Sequence, residues 1–231
     1  ERVDPGRTDW NQKNTPRLFA GLTQEASDQT REFYSTFCDN LVEVSSPEVA
    51  EAAKLFENTF RQVNIALVNE FAEISHALGI SVHETLDAAN TKPYGFMKFN
   101  PSAGVGGHCI PVYPHFYLST DENATIVKAA RKQNAEMPDF YLNKIRAVSG
   151  TLRGLKILIL GLAYRPNVKE HAFSGALKLA ELIRNEGGEA LIQDPLYSKS
   201  EIEALKLKPY ENQLDIDYAL LHTGHDSYQH F

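Results

Sequence analysis

Leu155-Lys156-Ile157-Leu158-Ile159-Leu160-Gly161 is a short run, apolar but for one lysine and closed by glycine. A run of this length, with neither helical nor alternating period, reads as a strand buried on both faces of a parallel sheet. The residues that follow repeat the theme. Ser174 to Asn185 has helical spacing and stops at Gly187-Gly188, and Glu189-Ala-Leu-Ile-Gln-Asp194, closed by Pro195, is the next strand. Ser198 to Leu205 reads as a helix and Tyr218-Ala-Leu-Leu-His222 as a third strand. Strands alternating with helices predict a parallel α/β sheet with right-handed crossovers from about residue 151 onward.

Upstream of Arg153 the texture is helical. Ser45-Ser-Pro-Glu48 supplies a cap, a first-turn proline and an early acid. Val49, Ala52, Ala53, Phe56, Phe60, Val63, Leu67, Val68, Phe71, Ile74 and Leu78 then recur at helical spacing until Gly79. The expected helix has roughly 30 residues, about 45 Å at ~1.5 Å per residue. It is apolar on more than one stripe, so burial on several sides is expected. Ser81-Val-His-Glu84 opens a shorter helix to about Asn90. Thr91 to Pro114 reads as a glycine-rich loop, and Phe116 to Ser149 as helical with a break or fresh start at Pro138. Before the long helix, Arg17–Leu22 and Leu41–Val44 are strand candidates on either side of a helix from Ser27 to about Phe37.

Within that loop, Ala103-Gly-Val-Gly-Gly-His-Cys-Ile-Pro-Val-Tyr-Pro114 sets Cys109 after a run of small residues. Glycines at 104, 106 and 107 open backbone angles closed to other residues, and Pro111 and Pro114 stiffen the far side. A thiol held this way suits nucleophilic catalysis. Spacing alone fits equally a turn around a buried, inert cysteine.

Three ordered blocks resemble the UDP-glucose/GDP-mannose dehydrogenase family, in particular its branch acting on UDP-N-acetyl-hexosamines. They are Glu1-Arg-Val-Asp-Pro-Gly6, Ala50 to Glu70, and Tyr94 to Val112 with its Cys109 signature. The resemblance implies a helical central domain with a long linking helix that also forms a homodimer core. A Rossmann-like UDP-binding domain follows. Its implied boundaries are 1–44 for the tail of an N-terminal NAD-binding domain, 45–150 for the central domain and 151–231 for the UDP-binding domain. The chain lacks Met at its start and a Gly-x-Gly-x-x-Gly opening a strand–helix unit, so it is expected to be a piece without most of that NAD-binding domain. Such a piece alone is expected to be inactive.

The resemblance also implies the chemistry: NAD-dependent oxidation of a UDP-sugar C6 alcohol to the carboxylate through a cysteine thiohemiacetal and thioester, supplying polysaccharide precursors. Carried over residue by residue, Cys109 is the nucleophile, Lys54 steadies the C6 oxyanion, Asn58 holds substrate or water, and Glu1 serves thioester hydrolysis. Lys54 and Asn58 stand at i and i+4, on one helix face; without the resemblance they read as a solvated pair. Phe99, Asn100, Gly104 and Gly106 lie on the substrate loop, Phe96 reading equally as core. Tyr164 and Arg165, after the first strand of the sheet, are implied sugar-nucleotide contacts, at the strand end where α/β folds bind phosphates. Two positions depart from the family pattern. Tyr113 replaces an aspartate four residues after the cysteine, and Ala172 replaces an arginine that touches NAD. Lys169 or His171 is expected to stand in for that arginine.

Composition narrows the classes. The 231 residues are 42% hydrophobic with a formal charge of −7, enough for a core and against nucleic-acid binding. Cys38 and Cys109 are far apart, which fits a reducing compartment and no disulfide or zinc framework. No apolar run nears ~18 residues and no leader is visible, so a cytoplasmic protein without a membrane span is expected. His222, His225 and Asp226 are metal-ligand types but read as a solvated loop. The rival functions are a UDP-sugar-binding or dimerisation module without turnover, and a thiol hydrolase, for which His108 beside Cys109 is badly placed.

Overall fold

The computed structural model describes all residues except 1, 5, 6, 122, 212–214 and 231. Glu1, and with it much of the Glu1–Gly6 loop, lies outside the described residues. The elements in order are β1 (Arg17–Phe19), α1 (Gln24–Ser35), β2 (Leu41–Glu43), α2 (Pro47–Leu78), α3 (Val82–Asn90), α4 (Cys109–Thr120) and α5 (Thr125–Ser149). Then come β3 (Lys156–Leu160), α6 (Gly175–Asn185), β4 (Glu189–Gln193), α7 (Lys199–Ala204), β5 (Lys208–Pro209), β6 (Tyr218–Leu221) and a 3-10 turn at Asp226–His230. The chain divides into two compact units, residues 1–60 and 61–231.

In the first unit β1 and β2 pair in parallel, Arg17 opposite Leu41, with α1 between them in sequence. Thr23 caps α1 by accepting the Ala26 N–H at 3.2 Å. Gly21 cannot carry a side chain, because a Cβ there would stand 2.3 Å from the Ser27 nitrogen.

In the second unit four parallel strands lie in the order β5-β4-β3-β6. The Leu155–Gly161 run occupies an inner position. Ile157 and Ile159 on one face and Leu158 on the other are all at most 5% exposed, which is why the run lacks alternation. Ile157, Ile159, Ala190 and Ile192 join Leu179 and Ile183 of α6 and Leu142 and Ile145 of α5 in one core. Ser174 and Ser198 cap α6 and α7, the latter with the reciprocal Glu201 bond. β5 escapes a sequence reading because two residues carry no period.

Four expectations are corrected. The cysteine loop ends at Cys109 rather than Pro114, because α4 begins there. The first N–H groups of a helix have no intrahelical acceptor, so Pro111 costs it nothing. The helical stretch expected to break at Pro138 runs through it; the break lies at Asp121–Ala124. Asp121 is extended and its carboxylate accepts the Asn123 N–H at 2.8 Å, while Met137, Pro138 and Leu142 are buried and hold α5 together. Burial of α2 on several sides is not met within the chain: Leu67, Ile74 and Leu78, spaced at i, i+7 and i+11, are 61%, 48% and 66% exposed. Phe96, a core candidate, is exposed.

Candidate functional site

The site is built outward from the carboxyl end of β4. Asp194 is buried, its side chain fully so. One carboxylate oxygen accepts the backbone N–H groups of Leu162 at 2.7 Å and Ala163 at 2.8 Å, and lies 3.1 Å from His225 Nε2. The other accepts the Leu196 N–H at 2.8 Å. His225 Nδ1 accepts the Asn167 N–H at 3.0 Å, so the ring proton is on Nε2 and is donated to Asp194. His225 is 2% exposed, which corrects the solvated reading of the C-terminal histidines. They are interior pieces of this network, and among the described residues no group of three acids, histidines or cysteines could hold a metal. His222 belongs to the same cluster, with Nδ1 3.0 Å from the Gly161 carbonyl. Burial pushes it down to about 4, outweighing the attraction of Asp194.

Held this way, the turn after β3 delivers Tyr164 against the glycine loop. A Cβ on Gly106 would lie 2.3 Å from Tyr164 Cβ, and one on Gly107 3.1 Å from the ring. The Gly107 N–H donates to the Ala172 carbonyl at 2.7 Å. Gly175 makes room in turn for the Ala103 carbonyl, which a Cβ would meet at 1.8 Å. Phe173, between these contacts, is left-handed at φ +52°, a strained state for an aromatic residue. The loop therefore lies flush on the Tyr164–Gly175 segment and releases Cys109, exposed, as the first residue of α4. Cys109 is exposed, which corrects its reading as a buried residue.

His108 has its contacts on the segment that follows Tyr164. It stands edge-on to Phe173 at 6.3 Å and 3.8 Å from Glu170. The Arg165 guanidinium lies 5.7 Å from the Tyr164 ring centroid. Phe99 is half-buried and Asn100 exposed. A cavity of ≈ 410 Å³ borders the loop at Gly104, α4 at Ile110, α5 at Arg131 and α6 at Ser174 and Lys178. The structure thus joins Gly104, Gly106 and Tyr164 beside the Cys109 turn.

Lys54 and Asn58 belong to the first unit. Lys54 lines a cavity of ≈ 220 Å³ with Arg2, Arg17 and Glu57. Within it Arg2 is paired with Glu57 at 2.5 Å. Asn58 is 4% exposed, and its Nδ2 has no hydrogen-bond partner among the described residues.

Lys169 and His171 share a hollow with Glu170 and Glu201. Lys169 is paired with Glu201 at 2.5 Å, and His171 Nδ1 is 3.2 Å from the Tyr197 hydroxyl. Two carboxylates and a paired lysine do not suit a dinucleotide pyrophosphate. In the β3 turn, where α/β folds take phosphate, the Leu162 and Ala163 N–H groups are occupied by Asp194 and that of Tyr164 by the Glu170 carbonyl.

Residues 48–136 match the model of the UDP-glucose/GDP-mannose dehydrogenase family, central domain, and residues 158–231 that of the same family's UDP binding domain. The chain belongs to this family. UDP-N-acetyl-D-mannosamine dehydrogenase of Methanocaldococcus jannaschii is 35% identical over 237 residues, spanning 100% of this chain and 53% of the relative. The solved structure of UDP-D-ManNAc dehydrogenase from Pyrococcus horikoshii aligns with a TM-score of 0.84 and 32% identity, over 100% of this chain and 55% of that one. The UDP-N-acetyl-mannosamine dehydrogenase of S. aureus aligns at 0.82 and 30%, with the same coverage. The chain spans about half the length of the curated relatives it matches. These findings bear out the expected family and the fold: a helical part with a long helix, then a Rossmann-like parallel sheet.

Within this family member, the two departures differ in setting. Tyr113 packs beside Phe116 at 6.1 Å on α4. Ala172 supplies the carbonyl that holds Gly107, a role that any residue's backbone could fill. Sequence reasoning missed Asp194 and His225, although an acid at a strand's carboxyl end before proline was a signal.

Gly106→Ala is expected to dislodge the loop, at a cost of about 1–3 kcal/mol, read as a lower urea midpoint. Adding Tyr164→Gly should restore most of the loss; no coupling between the two would contradict the close approach. Below pH 6.5 the unfolded chain binds a proton at His222 that the folded chain refuses until about pH 4. Stability should fall as pH drops through that window. His222→Asn should flatten this part of the pH profile.

Proposed function

We propose that the whole protein is a UDP-N-acetyl-hexosamine 6-dehydrogenase, of the mannosamine type that its relatives' names carry. The observation that carries this reading is the glycine loop seated on Tyr164 with Cys109 exposed at its end. NAD is the oxidant the resemblance implies. Held mainly by parts of the whole protein other than these residues, it would accept the hydrides lost when the C6 alcohol becomes the aldehyde and the thiohemiacetal becomes the thioester. On this chain, the Cys109 thiolate would attack the C6 aldehyde carbon: an S–C bond forms and the carbonyl electron pair moves to oxygen. Once the adduct is oxidised to the thioester, water adds, the C–S bond breaks and the thiolate leaves the carboxylate behind. Phe99, Asn100, Gly104, Gly106, Tyr164 and Arg165 would contact the UDP-sugar. Lys54 would meet developing negative charge; Asn58 would hold substrate or water, and Glu1 would serve hydrolysis. Functionally the chain would divide at residues 45 and 151, as the family order suggests.

The dimer is a proposal as well. The bare stripe of Leu67, Ile74 and Leu78 on α2 supports pairing through this helix. No helix among the described residues is long and apolar enough to cross a membrane.

Calorimetric titration of this chain should give a Kd for a UDP-N-acetyl-hexosamine at least about tenfold tighter, ~1.4 kcal/mol, than for GDP-mannose. Equal affinities would overturn the substrate class. In the whole protein, Cys109→Ser should lower turnover by about 10³-fold or more while UDP-sugar binding persists; binding without turnover in the unmodified protein would favour the module reading. Leu67→Glu should shift the scattering mass from dimer to monomer, and a monomeric unmodified chain would reject the pairing.

A further inference from the structure

One face of α5 reaches the cysteine loop on both sides of Cys109. Before the cysteine, Asn69 of α2 accepts the Ser102 N–H on its Oδ1 at 2.8 Å. Asn69 in turn donates from Nδ2 to Asn134 Oδ1 at 2.8 Å, and Asn134 donates to the Gln62 carbonyl at 3.2 Å. Asn69 is 0% and Asn134 5% exposed, so each amide is oriented by bonds that water does not compete for. After the cysteine, Arg131 donates from Nη1 to the Pro111 carbonyl at 2.8 Å, and its Nη2 meets His115 Nε2. His115 must accept there, since an arginine nitrogen has no lone pair to offer.

Arg131, Asn134 and Pro138 stand at i, i+3 and i+7, one stripe of the helix. Pro138 has a part of its own. It has no N–H for the Asn134 carbonyl, and that oxygen lies 3.8 Å from where a Gly104 Cβ would sit. The stripe therefore meets the loop at Ser102 through Asn69, at Gly104, and at Pro111.

We infer that Arg131 and Asn134, the latter through Asn69, are positioning residues that fix the Cys109 turn from both sides. Neither acts on substrate; each sets where the Gly107–Cys109 backbone starts α4. That they serve catalysis rests on the nucleophile assigned to Cys109 above. The clamp itself does not, and it is tested without turnover.

The test is amide hydrogen exchange on this chain. Arg131→Ala should speed exchange at Gly104 to Ile110 by at least tenfold, while β3 and β4 amides stay within twofold of the unmodified chain. Asn134→Ala should do the same from the other side, and Arg131→Lys, which keeps a charged donor nitrogen but not the fork, should recover part of the protection. Ile183→Val, a core change on α6 outside the stripe, controls for general loosening and should leave the loop's rate relative to the sheet unchanged. Loop exchange unaltered in folded Arg131→Ala overturns the clamp, as does acceleration spread evenly over loop and sheet. If Asn134→Ala does not fold, the Arg131 pair decides alone. In the whole protein Arg131→Ala should lower kcat at least tenfold with the KM for UDP-sugar within threefold. Loop exchange that responds while Cys109→Ser keeps full turnover would leave the clamp standing and remove only the catalytic reading.

Discussion

The buried carboxylate of Asp194 is the contact from which the second unit is organised. A charge with no access to water is tolerated when donors converge on both of its oxygens. Here the donors are the N–H groups of Leu162, Ala163 and Leu196 and the His225 ring. They come from the turn after β3, the turn after β4 and the C-terminal segment, so one side chain ties three stretches of chain that share no secondary structure. Charge-assisted bonds of this kind are short and directional. The β3 turn has no freedom to drift, and Tyr164, its next residue, takes a fixed place.

From Tyr164 the constraint passes by contact rather than charge. Gly106 and Gly107 lie on the ring and its Cβ, Gly175 accepts the Ala103 carbonyl, and Ala172 holds the Gly107 N–H. No Cβ fits at Gly106 or Gly175, a Cβ at Gly107 would be tight, and Gly104 and Gly107 take a positive φ. The strained Phe173 lies in the middle of these contacts. A surface hydrogen bond would not hold an aromatic residue in that region of backbone space; several close approaches around it do.

Much of this was legible in the sequence, for reasons specific to each residue. The 155–161 run gave the sheet because an inner parallel strand has no polar face. Gly79 marked the end of α2 because it is left-handed, φ +68°, and Ser81, Ser174 and Ser198 marked helix starts because their hydroxyls cap. The cysteine loop was visible through its glycines, although what they accommodate was not. Tyr164 is more than fifty residues away, and sequence does not carry distance. Proline misled at Pro138, since one lost hydrogen bond is small beside the burial of its neighbours. His225 misled by type: near a chain end it resembled a solvated ligand, and only its neighbours Asp194 and Asn167 reveal an interior acceptor and donor.

The clearance between Gly106 and Tyr164 makes tolerance to substitution one-sided. What crowds residue 106 is the Cβ of residue 164, an atom that nineteen of the twenty amino acids share. Position 164 can exchange its ring for other side chains and leave the crowding at 106 unchanged, whereas position 106 has no alternative to glycine. For the fit at this one contact, the small residue is the constrained partner and the large one is not.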